Sequence, residues 1–244
     1  MSGVVIGESL RRHFTSIFVV PYLLILAMVG LASSRSATPA AAWPSMSILL
    51  AIILGSRLIG PEFSSGTLQL ILVKPIKRSA YVLSRVAGVV LVVTIAIALA
   101  ALCEAIGRLL WENGVGLQTI GHAVLASILR VALVAALLAL LGSLTRAYFS
   151  VALYFAIMLG IETLIGILNI VRGSSGGFFG TIGEIVARYP GIAQALTWLS
   201  QNLFPDAPRL LNSGWVLMVA SNSALALLLA CLRFRTREVP YGAD

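Results

Sequence analysis

Apolar residues along this chain gather into six long blocks, at about 14–32, 43–59, 81–103, 122–144, 149–171 and 214–232, separated by polar or basic stretches. A helix needs roughly 20 apolar residues to cross a hydrocarbon core, and each block comes near or exceeds that length. The pattern predicts an all-α membrane protein with six transmembrane helices, organised as one membrane domain over 1–244. A cleaved signal peptide is the rival reading of the first block, with Arg11 and Arg12 as its basic start and Ala40, Ala41 and Ala42 as a cleavage site. The block is long for that role, and five more follow it.

The stretches between blocks refine the picture. Residues 1–13 form a weakly amphipathic lead ending in Arg11, Arg12 and His13, which predicts a short N-terminal interfacial helix. The third block is followed by a loop containing Glu104, Arg108 and Glu112. A longer stretch, 172–213, precedes the last block. It opens on Gly173, Ser174, Ser175, Gly176 and Gly177 and is punctuated by Pro190, Pro205 and Pro208. Within it, 181–188 and 192–202 are each expected to form a short helix, the second with Ile192, Leu196 and Leu199 at helical spacing. Both are too short to span and fit the outer interface. A tail opening with Arg233, Arg235 and Arg237 follows the sixth block.

Composition agrees. Residues are 59% hydrophobic and 11% charged, where a soluble domain carries about 25% charge. Mean hydropathy is +1.00. A net charge of +8 could speak for nucleic acid, but in a membrane chain basic residues hold loops in the cytoplasm. With the N-terminus inside, the cytoplasmic stretches hold Arg11, Arg12, Arg57, Lys74, Lys77, Arg78, Arg85, Arg146, Arg233, Arg235 and Arg237, eleven of the 17 Lys and Arg residues. Both termini are therefore expected in the cytoplasm. Cys103 and Cys231 lie in or beside apolar blocks without metal-ligand or redox spacing and read as small core residues.

Residues 57–85 read RLIGPEFSSGTLQLILVKPIKRSAYVLSR. Pro61 suits the first turn of a helix and Glu62 its positive end. Leu68, Ile71 and Leu72 would form an apolar face, Gly66 permits close approach, and Pro75 bends or stops the helix before Lys77 and Arg78. Taken alone, this is a basic interfacial loop that sets topology. The arrangement of Glu62, then Gly66, Thr67 and Leu68, then Pro75, Ile76, Lys77 and Arg78 resembles the pattern E-x3-G-T-L, five to eight residues, P-[VI]-x-R. That pattern lies between the second and third spans of ABC-2 type permeases, the membrane subunits of one class of ATP-binding-cassette exporters.

The resemblance implies a cytoplasmic coupling helix between spans 2 and 3, docking on an ATPase through Glu62, Gly66, Thr67, Pro75 and Arg78. It also implies two permease copies, identical or related, and two copies of a cytoplasmic ABC ATPase subunit that holds ATP and Mg. The chain shows no G-x-x-x-x-G-K-[ST] loop, so no catalytic site or cofactor is expected within it. The implied activity is export of a hydrophobic or amphipathic drug, lipid or peptide across the cell membrane, with lipids as neighbours and no nucleic-acid partner.

Other chemistries fit less well. His13 and His122 stand at opposite membrane edges, and no His-Glu-x-x-His occurs, which argues against an intramembrane protease. A secondary transporter would use intramembrane carboxylates and matching helix breaks, and only Glu162 stands well inside a block. A structural membrane subunit is the third class. Arg130 and Glu162 lie 16 residues on either side of Arg146, about 24 Å up two adjoining helices, which predicts a buried ion pair.

Overall fold

Runs of Leu, Ala, Val and Ile favour continuous helix where no proline interrupts them, and Pro21, Pro44 and Pro190 each stand in the first described turn of a helix. A computed structural model of the chain describes residues 7, 19–36, 38–40, 42–56, 58, 78–111, 116–145, 149–173, 190–206 and 211–236. Seven helices occur among these residues, with no strand: α1 (Val19–Ser33), α2 (Trp43–Gly55), α3 (Arg78–Leu110), α4 (Leu117–Leu144), α5 (Phe149–Gly173), α6 (Pro190–Leu203) and α7 (Ser213–Thr236).

Four helices, α3, α4, α5 and α7, are long and apolar enough to cross a membrane. The other two apolar blocks appear as shorter helices, 15 residues in α1 and 13 in α2, rising about 22 and 20 Å. Positions 14–18, 57 and 59, within the two blocks but beyond these helices, lie outside the described residues. So do the expected coupling helix and the helix over 181–188, and, apart from the helical Gly7, the lead over 1–13. The second outer helix is present as α6.

Two boundaries differ from the expected ones. The third block does not give way to a loop at Glu104. Instead α3 runs 33 residues, about 50 Å, to Leu110, carrying Glu104 and Arg108 as an i,i+4 pair inside the helix. The last helix likewise continues to Thr236, so positions 233 and 235 fall in its final turn rather than in a tail.

The chain divides into two compact units. The first comprises Met1–Val151 and Ala207–Asp244, the second Ala152–Asp206. In the first, α3 packs against α1, α2, α4 and α7, and α4 also packs against α2 and α7. The core of this unit includes the buried side chains of Val89, Val93 and Ile97 in α3, Leu133 and Leu138 in α4 and Leu50 in α2. Small residues on α4, including Ala126, Ala135, Ala139 and Gly142, let neighbouring backbones come close, the usual basis of helix association where no water is expelled. At the α1–α3 crossing a methyl group on Gly30 would collide with the Ala100 carbonyl oxygen. The second unit joins α5 from Ala152 onward to α6, with the Tyr154 ring edge-on to Phe204 at 5.3 Å.

Candidate functional site

Glu104 and Arg108 project from one face of α3, one turn apart, and both are buried, at 0% and 3% exposed. Charges at such a depth are costly unless paired and hydrogen-bonded. Here both are. Glu104 Oε1 accepts from Arg108 Nε at 3.0 Å and from the Ala40 backbone N–H at 2.9 Å. Its Oε2 accepts from Trp43 Nε1 at 2.6 Å and, at 3.2 Å, shares the Ala40 N–H. Arg108 Nη2 donates to the backbone carbonyls of Ser33 at 3.3 Å and Ser36 at 3.2 Å.

Those partners come from the end of α1, the α1–α2 connection and the first residue of α2. Ala40 sits at φ +58, a left-handed conformation that disfavours an L side chain, and its N–H points at the carboxylate. Gly107 lies against Ser34, where a Cβ would strike the serine hydroxyl, so this glycine admits the end of α1. The Arg35 guanidinium stacks over Trp111 at 4.6 Å on the same side. The Glu104–Arg108 pair is charge-balanced, and its partners are backbone groups of α1 and the α1–α2 connection and the Trp43 indole. Its arrangement ties helices together.

The N-terminal end of α3 is held differently. Arg85, 7% exposed, donates through Nε to the Tyr81 hydroxyl at 3.1 Å, and its guanidinium lies 5.5 Å from that ring. Tyr81 in turn stacks on Phe234 of α7 at 6.3 Å. Arg85 is thus a buried helical residue within α3.

In the second unit Ser200 of α6 donates to Glu162 Oε1 of α5 at 2.7 Å. Beside this bond lies a groove of about 280 Å³, where the carboxamides of Asn169, Gln194 and Gln201 meet Ile165, Leu168 and Trp198.

Of the sequence-predicted site residues, Glu62, Gly66, Thr67 and Pro75 lie outside the described residues, and Arg78 is the first residue of α3. Arg130 lies in α4 of the first unit and Glu162 in α5 of the second. Sequence reasoning missed Trp43, Glu104 and Arg108 as a group. The available signal was an acid and a base four residues apart directly after an apolar block, a spacing that continues a helix rather than ending it. Among the described residues no group of three or more His, Cys, Asp or Glu side chains is placed to hold a metal ion. A family model described as ABC-2 family transporter protein matches residues 11–201, ending within α6. A comparison with curated proteins finds no match.

Proposed function

We propose that this chain, which belongs to the ABC-2 family of transporter proteins, is the permease subunit of an ATP-driven exporter in the cell membrane. As a multi-pass membrane protein of that family, it supplies the membrane part of an ABC transporter. In this reading α1 and α2, extended by their flanks, complete six spans with both termini in the cytoplasm. Two permease copies, identical or related, stand over two ATPase subunits that bind ATP and Mg. The Glu62–Arg78 segment is the coupling helix, with Glu62, Gly66, Thr67, Pro75 and Arg78 at the docking surface.

The observation that carries this reading is the family match over residues 11–201, a range that includes the whole Glu62–Arg78 pattern between α2 and α3. A hydrophobic or amphipathic cargo is supported by apolar spans and by the α5–α6 groove, whose carboxamides face aliphatic and indole surfaces. Glu162 and Arg130 are proposed as an intramembrane ion pair on their equal distance from Arg146. Its test is the swap Arg130→Glu with Glu162→Arg, which should recover part of the stability that each single change loses. Losses that simply add would dissolve the pair.

The reading as a whole is tested by purifying the tagged chain from membranes that also contain a P-loop ATPase encoded beside it. The ATPase should copurify with the unaltered chain, and Gly66→Trp should abolish its recovery while leaving the chain inserted. A chain that moves solutes down an ion gradient with no ATPase bound would instead be a secondary transporter.

A further inference from the structure

The groove of the second unit is lined by one face of each of its helices. From α5 come Ile165, Leu168 and Asn169, at i, i+3 and i+4, and from α6 come Gln194, Trp198 and Gln201, at i, i+4 and i+7. The two helices run antiparallel, since Tyr154 meets Phe204 and Glu162 meets Ser200. Along the axes the lining covers about 6 Å of α5 and about 11 Å of α6. It lies over the last third of α5, which is the outer end in the six-span reading.

Its polar groups differ from their neighbours. Thr197 donates to the Ala193 carbonyl, Ser200 to Glu162 and Asn202 to the Trp198 carbonyl. The carboxamides of Asn169, Gln194 and Gln201, each with two donors and an acceptor oxygen, make no hydrogen bond among the described residues. Between them the Trp198 indole is 64% exposed, and Ile165 and Leu168 supply an aliphatic wall. No ionisable side chain lines the groove. A permanent charge bound there would lose water without meeting a counter-charge, whereas an uncharged group that donates and accepts would find partners. The volume of about 280 Å³ is just below the roughly 300–1,000 Å³ that encloses a whole small molecule, so it suits a head group with its tail outside. Next to the lining, α5 presents Leu164 and Ile167, each 50% exposed, as an apolar track.

We propose that the α5–α6 groove binds the head of an uncharged amphiphile, a hydroxyl-bearing ring of the sugar type. Its hydroxyls bond Asn169, Gln194 and Gln201, its flatter apolar face lies on Trp198, and its tail follows Leu164 and Ile167. This deepens the permease reading by naming a class of head group. The binding itself belongs to this chain alone and is tested without an ATPase, so the two readings fail separately.

The probes share one octyl tail: octyl glucoside, octyltrimethylammonium and octyl sulfate. Each, radiolabelled and kept below its micelle concentration, is dialysed to equilibrium against the chain in phosphatidylcholine nanodiscs and against empty nanodiscs. Octyl glucoside should bind saturably above the empty discs, and neither charged probe should. Gln194→Leu with Gln201→Leu should weaken the glucoside roughly tenfold, as two lost hydrogen bonds would. Asn169→Leu, which leaves α6 untouched, should weaken it by a smaller factor. Thr163→Val, on the opposite side of α5, should leave it unchanged. Absence of saturable glucoside binding, equal binding of all three probes or preference for a charged one would each overturn the proposal. So would a glucoside affinity unaltered by both sets of groove substitutions, or lowered equally by Thr163→Val.

Discussion

Towards each end α3 carries a buried arginine, Arg85 and Arg108, yet the two are held by different physics. At one end Arg108 and Glu104 are locked to each other, to backbone groups of the α1–α2 connection and to the Trp43 indole. At the other, Arg85 donates to the Tyr81 hydroxyl, and the Tyr81 ring stacks on Phe234 of α7. A charge network demands that each partner stay where it is. An aromatic contact asks only that surfaces remain together. The two buried arginines of this helix thus have partners of different chemistry, Arg108 a carboxylate and backbone carbonyls and Arg85 a tyrosine hydroxyl.

Substitutions at the two ends should separate these regimes. The largest effect is expected for Glu104→Leu, which leaves Arg108, the Trp43 N–H and the Ala40 N–H without their acceptor. Breaking one side of a buried pair costs about 3–5 kcal/mol, read as a lower unfolding temperature in detergent micelles. Replacing Glu104 and Arg108 together by apolar residues should restore much of it, and a double mutant as unstable as Glu104→Leu would show that the pair is not the reason. Next comes Gly30→Leu at the α1–α3 crossing, where forced separation of backbones should cost about 1–3 kcal/mol. An unchanged melting profile would mean the crossing is looser than the Ala100 contact implies.

At the Tyr81–Phe234 contact the expected losses are smaller. Phe234→Leu keeps apolar volume and removes the ring pair, for about 0.5–1.5 kcal/mol. A loss matching that of Glu104→Leu would erase the contrast between the ends. Smallest of all is Ser127→Ala in α4. The Ser127 hydroxyl is buried with no hydrogen-bond partner among the described residues, so its removal should be neutral or stabilising by about 1 kcal/mol. Destabilisation by that substitution would reveal a bonded hydroxyl.

Much of this architecture was legible in the sequence because membrane spans announce themselves by composition and length. The blocks at 122–144 and 149–171 fall within α4 and α5, and the second outer helix appears as α6. The pattern from Glu62 to Arg78 pointed to the family, and a model of that family matches residues 11–201. What stayed hidden was the buried cluster. Charged residues after an apolar run are ordinarily where a helix meets water, so Glu104 and Arg108 read as loop. Their burial depends on partners 61 to 75 residues away in the chain, among them the carbonyl of Ser33 and the indole of Trp43. Three of those partners are backbone groups, at Ser33, Ser36 and Ala40, which no side-chain pattern reveals, and Ala40 makes its bond from a left-handed conformation. The burial of Arg85 against Tyr81 within α3 was equally unreadable from the charge pattern.

Hydrogen–deuterium exchange on the permease, with and without its ATPase, tests the central claim most directly. Adding the ATPase should slow exchange across residues 57–78, the stretch that carries Glu62, Gly66, Thr67 and Pro75. Exchange across 33–43 and 104–110 should stay unchanged. No protection in 57–78, or protection appearing instead at the cluster end of α3, would contradict the assignment of that segment as the surface where ATP hydrolysis is received.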